Sequence, residues 1–145
     1  MTDKFTISTE VNTNSADNPV GLEVWLDNNL VHDFILVTGP TPVIFDVADD
    51  DGEHELRFVL KNKTQDHTKI DEQGNIVADS VVTINKIMFD DIDLGHGLTE
   101  QSVYTHNFNG NGPETQEKFY GTMGCNGTVS LKFTTPIYLW LLENM

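Results

Sequence analysis

Between residues 43 and 94, short apolar runs alternate with acidic, glycine-containing turns. The segment from Val43 to Val47 leads into Asp49-Asp50-Asp51-Gly52. His54, Leu56, Phe58 and Leu60 then alternate with Glu55, Arg57, Val59 and Lys61. Successive side chains of a strand point to opposite faces, so this period of two predicts a half-buried antiparallel strand with His54, Leu56, Phe58 and Leu60 inward. A β-branched run, Val81-Val82-Thr83-Ile84, follows a polar stretch. Read this way, the chain has strands at about residues 4–12, 20–27, 30–37, 43–48, 53–61, 80–89, 102–108 and 127–134. Asp27-Asn28-Asn29 suits a tight hairpin, because these residues tolerate left-handed backbone. Prolines in Thr38-Gly39-Pro40-Thr41-Pro42 mark a loop. With no sustained 3.6-residue apolar period, little helix is expected. The prediction is an all-β fold, an antiparallel β-sandwich or jelly roll.

The chain of 145 residues suits a single domain, 1–145. Residues 62–78, with Asp66, His67, Asp71, Glu72 and Gly74, predict a protruding loop or an extra hairpin. Residues 109–115 read as a flexible link, which makes 109–145 a C-terminal arm. Within it, Pro136 to Leu142 is the most apolar stretch, about a third of the roughly 20 residues a membrane-spanning helix needs. Read as a strand, it places Ile137, Leu139 and Leu141 on one face and Tyr138, Trp140 and Leu142 on the other. Both faces then need covering. Either it is a central core strand, or Tyr138, Trp140 and Leu142 form an interface.

Charge narrows the functional classes. There are 23 acidic residues against 8 basic ones, a net charge of −15, and Arg57 is the only arginine. Nucleic acids and anionic membranes need clustered cations, so neither is an expected partner. Surplus carboxylates instead favour solubility, cations or a basic partner. The start, Met1-Thr2-Asp3-Lys4, holds no apolar signal core, so a soluble protein made in the cytoplasm is expected. The single cysteine, Cys125, sits among Gly124, Asn126 and Gly127 and reads as a turn residue.

Two acidic clusters are candidate calcium ligands: Asp49 and Asp51 in the Asp-Asp-Asp-Gly turn, and Asp90, Asp91 and Asp93 after a strand. Calcium takes six to eight oxygens, which turn carboxylates can supply, yet neither cluster has the EF-hand spacing. The alternative is a plain solvated turn. His32, His54, His67, His96 and His106 lack zinc-ligand spacing, Gly95-His96-Gly97 included. No nucleophile elbow, phosphate loop or HExxH motif occurs, so an enzyme is not expected.

Two resemblances bear on function. Leu22-Glu23-Val24-Trp25-Leu26-Asp27, then Gly52-Glu53-His54-Glu55-Leu56 with Asn62, then Val82 to Leu94, resemble the calcium-dependent xylan-binding carbohydrate-binding modules. That likeness covers about residues 20–94 and implies a jelly roll, calcium and glycan binding. The chain departs from it at residues 62–78, which are longer and lack the family's Asp-Arg-Asn-like element. Ser102 to Phe108, Tyr120 to Gly127 and Thr135 to Met145 resemble small acidic virion proteins of tailed marine bacteriophages, especially cyanophages. This second likeness implies a virion structural protein that decorates or cements the capsid. Its partners would be capsid or tail proteins, further copies of itself, and a host surface glycan. The expectation from sequence is the capsid-decoration role, with a calcium-dependent carbohydrate-binding module as the alternative.

Overall fold

Two antiparallel sheets face one another across an apolar core in a computed structural model. It describes residues 4–13, 20–34, 37, 39–61, 68–74, 76–94, 101–107, 112–124 and 126–144. In chain order the strands are β1 (Lys4–Thr13), β2 (Gly21–Leu26), β3 (Asn29–Phe34), β4 (Thr41–Ala48), β5 (Glu53–Lys61), β6 (Thr68–Ile70) and β7 (Ile76–Asp79). They continue with β8 (Val82–Phe89), β9 (Ile92–Asp93), β10 (Ser102–His106), β11 (Thr115–Lys118), β12 (Thr122–Met123) and β13 (Gly127–Thr134). A short helix, α1 (Ile137–Asn144), follows β13.

One sheet has the order β12-β8-β1-β4, with β9 paired to β8, and the other runs β11-β10-β13-β5-β2-β3. The β6–β7 pair stands apart as its own two-stranded ribbon, turning near Gly74 at a φ of 84° that favours glycine. This is the extra hairpin that residues 62–78 allowed. The β2–β3 hairpin turns at Asp27, whose φ of 55° is the left-handed conformation the sequence predicted there.

The β5 alternation is borne out. Leu56, Phe58 and Leu60 are buried, His54 lies mostly inside, and Glu55 and Arg57 stand on the outer face. Each fully buried side chain of this size contributes about 1.5–3 kcal/mol of transfer free energy. Opposite them, Ile7, Val11, Val43, Ile84, Ile87 and Phe89 supply the facing layer.

Two expectations are revised. Residues 136–142 do not form a strand, because they open α1, with Ile137, Trp140 and Leu141 buried at positions i, i+3 and i+4. The segment's two apolar faces are thus one helical stripe plus an exposed remainder, and a β period fits such a run equally well over seven residues. Residues 115–134 do not hang off the core. They supply β11 and β13 to one sheet and β12 to the other, with β13 between β5 and β10. Of the expected arm, only α1 packs onto the ends of the sheets. Cys125, Asp66, His67, Gly95-His96-Gly97 and residues 109–111 lie outside the described residues.

Candidate functional site

Strand register brings the acidic turns to one end of the sandwich. The start of β1 pairs with the ends of β4 and β8, through Lys4 with Ala48 and Ile7 with Phe89. The turn after β4 crosses to the other sheet, where Glu53 of β5 meets Thr134 of β13 and Leu56 meets Leu26. Turns at 27–28, 49–52 and 90–91 therefore share this end, and α1 lies over it. Asp49, Asp51, Asp90, Asp91 and Asp93 are all here.

His54 is the hub. Its Nδ1 lies 2.8 Å from Asp27 Oδ2 and its Nε2 lies 2.8 Å from Asp50 Oδ1. A neutral imidazole donates only one N–H, so satisfying both carboxylates requires the imidazolium. Burial pulls its pKa down, but the hydrogen bonds to Asp27 and Asp50 outweigh that and hold it above the usual 6.5. The bond to His54 in turn keeps the Asp50 carboxyl below its ordinary range. Asp27 Oδ1 accepts from Glu55 N, and Thr135 Oγ1 donates to Asp50. With both ring nitrogens engaged, His54 has no free lone pair to serve as a general base.

The remaining aspartates hold backbone. Asp49 Oδ1 accepts from Ile137 N at the first residue of α1, a side-chain cap for a donor that no helical carbonyl reaches. Asp90, at a φ of 54°, accepts from Thr6 N through Oδ1 and from the Tyr138 hydroxyl through Oδ2. The Asp90 bond, then desolvation, then the fields of Asp90, Asp91 and Asp49 push the Tyr138 phenol pKa up. The two predicted clusters thus converge around Tyr138. Asp51, at a φ of 57°, and Asp93, on β9, are exposed at the same end.

Beneath this shell the helix is anchored by aromatic packing. Trp140 is 6% exposed and meets Phe89 of one sheet at 5.9 Å and Phe133 of the other at 6.2 Å. Phe5 packs on Phe89 and Phe133, and His54 stacks on Phe133 at 5.5 Å. Trp140, read from the sequence as either a core-strand or an interface residue, is buried as a plug for the end of the sandwich. Tyr138 and Leu142 do face outward, 50% and 80% exposed.

A calcium ion is not a ready fit here. Among the described residues no three His, Cys, Asp or Glu side chains stand together as an ion's ligands. Oxygens of Asp49, Asp50 and Asp90 already accept hydrogen bonds from the protein. A cleft of ≈ 490 Å³ opens beside His54, bounded by Asp27, Glu53, Glu55, Lys132 and Trp140. A second recess of ≈ 520 Å³ lies on the outer face of the six-stranded sheet, around Arg57, Thr105, Gln116, Ser130 and Lys132. Sequence reasoning missed this recess. Alternation showed which residues of β5 point outward, but not which strands would stand beside them.

No family model matches the chain, and no curated protein matches it. Two solved structures do resemble it. One is vCBM60 in complex with galactobiose, with 16% identity and a TM-score of 0.53, covering 87% of this chain and 96% of that one. The other is a selenomethionine form of vCBM60, from work linking two families of calcium-dependent carbohydrate-binding modules by circular permutation. Its identity is 14% and its TM-score 0.54, over 89% of this chain and 90% of that one. At these identities the likeness shows a shared fold.

Proposed function

We propose that this chain is a carbohydrate-binding module. The observation that carries the reading is a fold shared with vCBM60 over most of both chains, one of those structures holding galactobiose. It favours the carbohydrate-binding alternative over capsid decoration. The engaged His54 adds support, because an end whose histidine is locked between carboxylates suits binding better than proton transfer. Calcium belongs to the neighbour's description. In this chain Asp49, Asp51, Asp90, Asp91 and Asp93 offer the right oxygen chemistry without a gathered cage.

Isothermal titration with galactobiose, and native gels cast with soluble galactan or xylan, test the reading. The expected result is retardation by at least one polymer, with a dissociation constant between about 1 mM and 1 μM, some −4 to −8 kcal/mol. Unchanged mobility on every neutral polymer tried, with and without calcium, would overturn it.

The virion reading retains one supporting feature: Tyr138, Leu139 and Leu142 expose apolar surface on α1 that a partner copy would cover. Its measurable consequence is self-association.

A further inference from the structure

Resting on the carbohydrate-binding reading, we propose that the sugar sits in the recess on the outer face of the six-stranded sheet. Its centre is Arg57, its ligand is a neutral oligosaccharide, and no metal ion takes part. Cross-strand register builds this surface. Trp25, Arg57, Ser130 and Val103 lie side by side on β2, β5, β13 and β10. Glu55 and Lys132 form a parallel row on one side, and Thr128, Thr105 and Gln116 form one on the other. Residues two apart on a strand share a face, so these rows make one continuous floor of polar side chains with Val103 among them.

Arg57 is held in place but incompletely satisfied. Its Nη2 donates to Asp27 O at 2.6 Å, and its guanidinium carbon lies 5.7 Å from the Trp25 ring centroid. Its buried Nε makes no hydrogen bond and pairs only electrostatically with Glu55 Oε1 at 3.6 Å, while the two side chains remain 31% and 34% exposed. Glu55 is drawn elsewhere, accepting from Ser130 Oγ through its other oxygen. A sugar hydroxyl both donates and accepts. Seated over the exposed parts of the two side chains, it can accept from the guanidinium and donate to the Glu55 carboxylate. The guanidinium is already positioned, so little ordering cost falls on binding. The acidic end has a cleft of similar size, but Asp27, Asp49, Asp50 and Asp90 there already accept from this chain's own donors.

The choice of a neutral glycan follows from charge. Glu55 offsets one of the two cations in the recess, Arg57 and Lys132, and the chain as a whole carries −15. An anionic polymer would be repelled over the approach. The recess is also of a size typical for small-ligand sites.

The test uses the full chain with the neutral polymer it binds best, in EDTA, at low and high salt. The parent is expected to bind in EDTA, with affinity changing less than about twofold across that salt range. Arg57→Gln should weaken binding by about tenfold or more, and Gln116→Ala, on the exposed edge strand, by about threefold with an unchanged melting temperature. If Arg57→Gln fails to fold, Gln116→Ala and Ser130→Ala carry the test together. Asp90→Asn should bind as the parent does. Folded variants of the recess with parental affinity, binding abolished by EDTA, or preference for an acidic glycan would each overturn the proposal while carbohydrate binding stands. A parent that binds no glycan removes the carbohydrate reading, and the recess proposal with it.

Discussion

The acidic end and the outer face of the six-stranded sheet divide the polar side chains between two kinds of work. At the end, His54 is held between Asp27 and Asp50, Asp49 takes Ile137 N, and Asp90 takes Thr6 N and Tyr138. On the face, Arg57, Ser130, Thr105 and Gln116 stand in rows fixed by strand pairing, and Arg57 Nε makes no hydrogen bond. Density of charge in the sequence marks the first region, yet that charge mostly secures turns and a helix. Short acidic side chains beside turns bond readily to nearby backbone donors, and an oxygen used that way is less available to a ligand.

Removing the plug should separate the two regions most sharply. Trp140 fills the gap between Phe89 and Phe133, so Trp140→Ala should cost about 3–5 kcal/mol of stability. Thermal or urea melts would show it, and sugar affinity of the folded fraction should stay parental, since the recess does not include Trp140. A loss below about 1 kcal/mol would mean that α1 is not what closes the end.

Much of the fold was legible because β patterning is local. The β5 alternation, the hairpin at Asp27 and the antiparallel sandwich all follow from period two and turn chemistry over a few residues. The helix was not, although Ile137, Trp140 and Leu141 do fall at i, i+3 and i+4 behind Pro136. Seven apolar residues leave too few polar positions to tell one period from the other. That signal was present, and proline at a helix start is its usual companion. The acidic residues were found by type, and the structure gathers Asp49, Asp90 and Asp91 around Tyr138. Their backbone bonds, and the cross-strand neighbours of Arg57, depend on contacts between residues up to 88 apart, as for Asp49 and Ile137. No local pattern encodes those.

His54 offers a finer probe of the acidic end. Its pKa is raised on folding, so its contribution is full below the unfolded value near 6.5 and is lost as pH rises through the folded value. The lowered Asp50 carboxyl acts oppositely, its contribution being present above 3.8 and lost as pH falls through the folded value. Stability should therefore fall in the parent as pH rises above about 6.5, and His54→Gln should flatten that slope. The substitution itself should cost about 1–2 kcal/mol, modest because Asp27 and Asp50 are 39% and 44% exposed. A parental slope in His54→Gln would assign the pH dependence to another group.

The smallest expected effect on stability lies on the outer side of α1. Leu142 is 80% exposed beside Tyr138 and Leu139, at the rim of an apolar hollow of ≈ 420 Å³ that includes Ile92 and Leu141. Leu142→Lys adds a charge in water and removes little packing, so the melting free energy should shift by no more than about 0.5 kcal/mol. Any self-association built on this face should respond far more, because a lysine there must be desolvated whenever two copies meet. Net charge −15 opposes contact between copies at low salt, so the comparison belongs at high ionic strength, where screening is short-ranged. Sedimentation velocity should then show the parent associating and Leu142→Lys remaining a monomer. If both stay monomeric at high concentration and salt, this face of α1 is simply exposed, and the assembly reading loses the feature that supports it.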